Sequence, residues 1–125
     1  MPDFPFVDAH VVLSDSRRFA MPPLGVGFGW DGKEGDLERS MGQAEYAEDT
    51  RGLPIAAMVL LEVGVAPAYA LLETMWMASL ARIDRRIGAV VTWAPVPDGM
   101  RGRAFLEAAK AASPLVVGEI GRAHV

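Results

Sequence analysis

"IAAMVLLEVG", residues 55–64, is a run of apolar side chains without a polar face, closed by Glu62 and Gly64. Continuous aliphatic runs of this length mark a strand covered on both sides, the usual condition of a parallel sheet. "IGAVVTWAPV", residues 87–96, is a second such run, and "SPLVVG", residues 113–118, begins a third. Between the first two, Pro67 suits the opening turn of a helix whose Leu71, Leu72, Met75, Trp76 and Leu80 recur at helical spacing before "RIDRR" ends it. Met75, Trp76 and Met77 read as core and rim packing. Between the second and third runs, residues 101–112 predict a helix presenting Phe105, Leu106 and Ala109.

Upstream, Phe6 to Leu13 alternates, which predicts a strand with Val7, Ala9, Val11 and Leu13 on one face and Asp8, His10 and Val12 on the other. Residues 14–35 are rich in Gly and Pro and show no period, so they predict a long loop carrying Phe19, Phe28 and Trp30. Asp36 can cap a helix running through Leu37, Met41, Ala44 and Ala47 or Glu48 to Arg51, which Gly52 and Pro54 end.

The order is strand, long loop, helix, strand, helix, strand, helix, strand. Strands alternating with helices predict an α/β fold: about four parallel strands joined by right-handed βαβ units. The pattern fits a doubly wound sheet or part of a (β/α)8 barrel, and four strands at this spacing fill half of a barrel of about 250 residues.

The chain has 125 residues, 51% of them apolar, a net charge of −4 and no cysteine; its mean hydropathy is +0.21. One domain with a real core is expected, disorder is not, and the acidic balance gives no footprint for nucleic acid. Without cysteine, disulfides and thiolate metal sites are excluded. "MPDFPF" lacks the basic and apolar regions of a signal peptide. The most apolar stretch, 55–72, is broken by Glu62, Gly64 and Pro67 and is no membrane span. A soluble, cytoplasmic protein with neither nucleic acid nor membrane as partner is expected.

"EIGRAHV", residues 119–125, is what GAG ATC GGA AGA GCA CAC GTC encodes, the in-frame reading of a common sequencing adaptor. The expected division is therefore a natural domain over 1–118 and a non-native tail over 119–125. The histidines are His10 and His124, so discounting the tail leaves His10.

At the C-terminal end of a barrel strand, residues i and i+2 both point into the mouth, and a His-x-His pair there delivers two imidazoles to one metal ion. Here the pair is His10 and Val12, and valine offers no lone pair; Asp8, expected on the same face, is a candidate to hydrogen-bond a ligand or approach a metal. His10 is the candidate metal ligand, set against a hydrogen-bonded strand histidine. Glu62 is a candidate acid, base or substrate contact, set against a strand-end glutamate paired with an arginine. Trp93 is a candidate pocket wall, set against packing. The spaced glycines of "GVGFG" follow no strand and open no helix, so they make a poor phosphate cradle.

With these residues in view, the chain resembles the amidohydrolase-related family, in particular its sugar-lactone and 2-pyrone-4,6-dicarboxylate hydrolase branch. The resemblance runs over residues 4–118. "VDAHVVLSD" is similar to that family's "VDxHxHLWD" opening; "LPIAAMVLLEVGVAP" and "ETMWMASLA" are similar to its second βα unit; "RIGAVVTWAPV" and "ASPLVVG" are similar to its third and fourth strands. The resemblance implies the N-terminal half of a (β/α)8 barrel from a parent that hydrolyses lactones of sugar acids or related acids, with decarboxylation in other branches. It also implies, for some members of the family, a divalent metal, usually zinc. His10 matches the first histidine of the opening motif, Val12 stands where the second belongs, and Ser14 where a tryptophan often stands. The later histidine, the base aspartate and an arginine after the fourth strand would lie beyond Gly118.

In a complete relative, an activated water attacks a lactone carbonyl, with the aspartate as base and metal or cationic groups on the oxyanion. This chain alone is expected to be inactive. A non-catalytic α/β binding or assembly domain, with Phe28 and Trp30 on a partner, is the alternative from another class.

Overall fold

The computed structural model describes residues 3–15, 17–19 and 41–121. Four strands, β1 (Phe6–Val12), β2 (Ile55–Leu61), β3 (Ile87–Ala94) and β4 (Val116–Gly121), form one parallel sheet in the order β1-β2-β3-β4. Among the described residues three helices accompany them: α1 (Gln43–Asp49), α2 (Ala70–Leu80) after a 3-10 turn at Pro67–Tyr69, and α3 (Met100–Ala112) after a 3-10 turn at Val96–Asp98. The α/β class and the four parallel strands with intervening helices are as expected. β4 runs through Glu119, Ile120 and Gly121, the first residues of the segment read as a tail. The aromatics Phe28 and Trp30, the "GVGFG" glycines, Asp36 and His124 lie outside the described residues.

The helices share one face of the sheet. α2 packs on β3, and α3 packs on β3, on β4 and on α2 itself; Tyr46 of α1 lies against the same core. The register explains what that core is made of. Val11 pairs with Leu60, and Val90 with Val116; all four side chains are buried beneath the helices, together with Met58, Met77, Leu80, Ile87 and Ala109. The next level of the sheet, one residue on in β1, β2 and β3 and two residues on in β4, where the pairing slips, runs across as Val12, Leu61, Val91 and Gly118. In a strand, neighbouring residues point to opposite faces, so this second row lies on the face away from the helices. Val12 there is 42% exposed, and Leu61, Val91 and Gly118 are half-buried.

β1 departs from its expected alternation. Its pairing with β2 slips between Asp8 and Val11, where Met58 and Leu60 face them two residues apart. That slip puts Phe6 and Asp8 on the same side as Val11 and Leu13, while Val7 is 56% exposed and Ala9 is exposed. A bulge of this kind inverts every side chain before it, which no alternation rule anticipates.

α1 is also shorter than the expected helix. Gly42 stands at its N-cap in extended backbone. Met41, expected on the helix, instead accepts the Ser14 N–H at 2.9 Å and donates its own N–H to Ser14 Oγ at 3.3 Å. The backbone groups of Met41 are thus spent on the chain leaving β1, and the helix starts after them.

The buried stripe of α2 differs from the one expected. It consists of Ala70, Glu73, Thr74, Met77 and Leu80, whereas Leu72 and Met75 are about half exposed. Two polar residues tolerate burial there because their hydrogen-bonding capacity is used. The Thr74 hydroxyl donates to the Ala70 carbonyl at 2.9 Å and is hydrogen-bonded to the hydroxyl of Thr92 on β3. Glu73 Oε2 accepts the Val63 N–H at 3.3 Å. α3 follows its expected bounds closely. Gly102 lets it approach the end of β3, since a Cβ there would sit 2.7 Å from the Pro95 carbonyl oxygen.

Candidate functional site

The C-terminal ends of parallel strands converge on one side of the molecule, and that is where α/β proteins carry chemistry. Near these ends the structure places His10 and Val12 on β1, Glu62 immediately after β2, and Trp93 on β3. His10 and Val12 are both exposed on the face away from the helices. Glu62 is 3% exposed, and its N–H donates to the Val91 carbonyl at 3.0 Å, which fixes the strand end against β3. Trp93 meets Phe105 of α3 edge to face, with ring centroids 5.7 Å apart.

Asp8 does not join His10 and Val12, contrary to the expectation that all three share a face. The slip in β1 turns it toward α1, where its Oδ2 accepts the Tyr46 hydroxyl at 2.8 Å and its Oδ1 accepts the His10 N–H at 3.3 Å. Burial and the Asp8 carboxylate push the Tyr46 hydroxyl up to about 12, so it stays protonated and donates throughout the ordinary pH range.

Zinc at this strand would need a set of donors that these residues do not form. Position 12 is valine, Asp8 faces the helices, and among the described residues no three His, Asp or Glu side chains gather as a metal-binding group. A catalytic zinc takes three protein ligands. Among the described residues His10 therefore has no companion donors of the kind a catalytic zinc takes.

Sequence reasoning missed Glu73, Thr74 and Thr92. Glu73 is 1% exposed, and its carboxylate lies against the backbone one residue past Glu62; Thr74 and Thr92 join α2 to β3 in the interior. The signal was present in the spacing: Ala70, Glu73, Thr74 and Met77 follow i, i+3, i+4, i+7 once polar residues are admitted to the stripe.

The opposite end of the sheet carries a different polar group. Asp84, 8% exposed in the turn before β3, accepts from Arg86 Nε at 2.9 Å, Arg86 Nη2 at 2.7 Å, the Arg86 N–H at 3.1 Å and Gln43 Nε2 at 3.2 Å. The Arg86 guanidinium lowers its carboxyl from 3.8 to about 2, against the opposing effect of burial. This cluster ties α1 to the start of β3.

Open depressions among the described residues lie elsewhere. One of about 450 Å³ is bordered by Met41, Ala44, Glu45, Glu48 and Asp49, and one of about 410 Å³ by Arg18, Phe19, Leu72, Met75, Trp76 and Ser79. Neither is lined by His10, Glu62 or Trp93.

The chain matches no family model, no curated protein and no solved structure. Among the described residues no helix is long and apolar enough to cross a membrane.

Proposed function

We propose that the chain is the N-terminal half of a (β/α)8 barrel hydrolase that opens lactones of sugar acids, or similar cyclic esters, by attack of an activated water. One observation carries this reading: four parallel strands in consecutive order, with the helices on one face and the row Val12, Leu61, Val91, Gly118 on the other. A doubly wound sheet reverses its strand order at a switch point and carries helices on both faces. A barrel keeps its order and fills its inner face with layers of mostly branched aliphatic side chains.

In that frame the residues near the strand ends take distinct roles. Glu62, buried beside the β3 backbone, supplies a carboxylate for proton transfer or for a substrate hydroxyl. Trp93 closes one side of the pocket, and His10 offers an imidazole on the inner face. The resemblance puts the base aspartate beyond Gly118, so the 125-residue chain is expected to leave an aldonolactone unhydrolysed, at the same background rate as its His10→Ala variant.

The test is to read the source DNA onward from codon 118 and to assay the longer protein. Four further βα units carrying a base aspartate, with aldonolactone hydrolysis slowed by Glu62→Gln, are expected. A frame that closes without further βα units, or a longer protein inert toward lactones, overturns the reading.

A further inference from the structure

The face of the sheet away from the helices is apolar almost throughout. Val7 and Val12 on β1, Ala57, Val59 and Leu61 on β2, Ala89 and Val91 on β3, and Gly118 and Ile120 on β4 lie on it, with His10 the polar exception. Val7 and Val12 are 56% and 42% exposed, and Val117, at the slip in β4, is 67% exposed. Contiguous apolar surface on this scale marks an interaction site. The same sheet ends in two edges: among the described residues β1 pairs only with β2, and β4 only with β3, apart from one bridge at Ser14. Unpaired edges are templates for another strand.

We infer that the 125-residue chain associates with a second copy of itself, β1 of each against β4 of the other, to close an eight-stranded parallel barrel with both apolar faces inside. The occupant follows from the edges. An added single strand would satisfy one edge and leave the other edge and the face open. A second sheet of four parallel strands, turned by a two-fold axis along the strand direction, offers β4 to β1 and β1 to β4 at once. The association is then isologous and closed, and does not propagate.

The area is sufficient. Four strands about 4.8 Å apart and about 20 Å long present roughly 400 Å² of face, so two faces and two edge junctions bury on the order of 1,000 Å², the lower bound for a specific interface. Eight strands also give an interior that side chains just fill. The inference rests on the same half-barrel sheet as the proposed function but not on its lactone chemistry, so failure of lactone hydrolysis in the longer protein leaves the dimer standing, and a monomeric 125-residue chain leaves the hydrolase reading standing.

The experiment uses the full chain. Light scattering behind size exclusion is expected to give twice 13.4 kDa. Val91→Glu places a charge on the inner face and is expected to raise the concentration for half-dissociation at least about tenfold while the far-ultraviolet circular dichroism is kept. Leu72→Glu, on the outer side of α2 and 53% exposed, is expected to leave the dimer intact. Because the chain has no cysteine, introduced thiols report alone. A short bismaleimide is expected to join a Val12→Cys chain to a Val117→Cys chain, and not two Val12→Cys chains to each other. A monomer at all concentrations, a ladder of larger assemblies, a dimer indifferent to Val91→Glu, or cross-links between two Val12→Cys chains would each overturn the inference.

Discussion

The two faces of this sheet are built from nearly the same residues and do different things. One row, Val11, Leu60, Val90 and Val116, is buried under the helices at 9% exposure or less. The next row, Val12, Leu61, Val91 and Gly118, is aliphatic in β1, β2 and β3 but among the described residues carries no helix. Composition therefore does not decide which face becomes core. The connections do: consecutive parallel strands joined by same-handed crossovers send each helix to the same side; in the proposed half-barrel the other side is where a second set of strands would pack.

The sharpest way to break this comparison is to truncate neighbours in the two rows. Leu60→Ala, at 0% exposure, is expected to cost roughly 3 kcal/mol in urea unfolding, and Leu61→Ala less than about 1 kcal/mol at concentrations where the chain is monomeric. Equal losses would mean that both faces are covered.

Next in size is the hydroxyl pair between the helical layer and the sheet. Thr92→Val strips Thr74 of a buried partner and is expected to cost about 1 to 2 kcal/mol, while the double variant with Thr74→Val recovers most of it. Additive losses in the cycle would show that the two hydroxyls act separately.

Tyr46→Phe, which removes the donor that holds Asp8 toward the helices, is expected to cost about 1 kcal/mol at neutral pH. The folded-state pKa of Tyr46 is raised from 10.0 to about 12, so the native protein loses stability as pH rises from 10 toward 12, and Tyr46→Phe removes that loss. An unchanged alkaline profile would place Asp8 elsewhere.

At the acid end the sign is opposite. The Asp84 carboxyl is lowered from 3.8 to about 2, so its contribution is complete above 3.8 and fades as pH falls toward 2. Asp84→Asn is expected to flatten this limb of the stability curve, read from thermal unfolding between pH 2 and 5.

Much of the architecture was legible because long aliphatic runs and helical spacing are strong local signals. "IAAMVLLEVG" and "IGAVVTWAPV" contain β2 and β3, and α3 keeps its expected extent. The faces of β1 were not legible, because the slip between Asp8 and Val11 comes from pairing with β2 and leaves no mark in the sequence of β1 itself. The site was legible only as residue types at strand ends. His10, Glu62 and Trp93 were singled out that way, but the turning of Asp8 toward Tyr46 depends on that same slip. The carboxylate of Glu73 against Val63 depends on a polar residue occupying a stripe normally assigned to aliphatics.

The most direct measurement uses two adjacent valines of β3. Val90→Thr and Val91→Thr change the same shape by the same hydroxyl, so only the surroundings differ. Measured by urea unfolding at concentrations where the chain is monomeric, Val90→Thr is expected to cost about 1 to 3 kcal/mol and Val91→Thr less than about 0.5 kcal/mol. A large loss for both would contradict a sheet covered on one face only, and with it the half-barrel account.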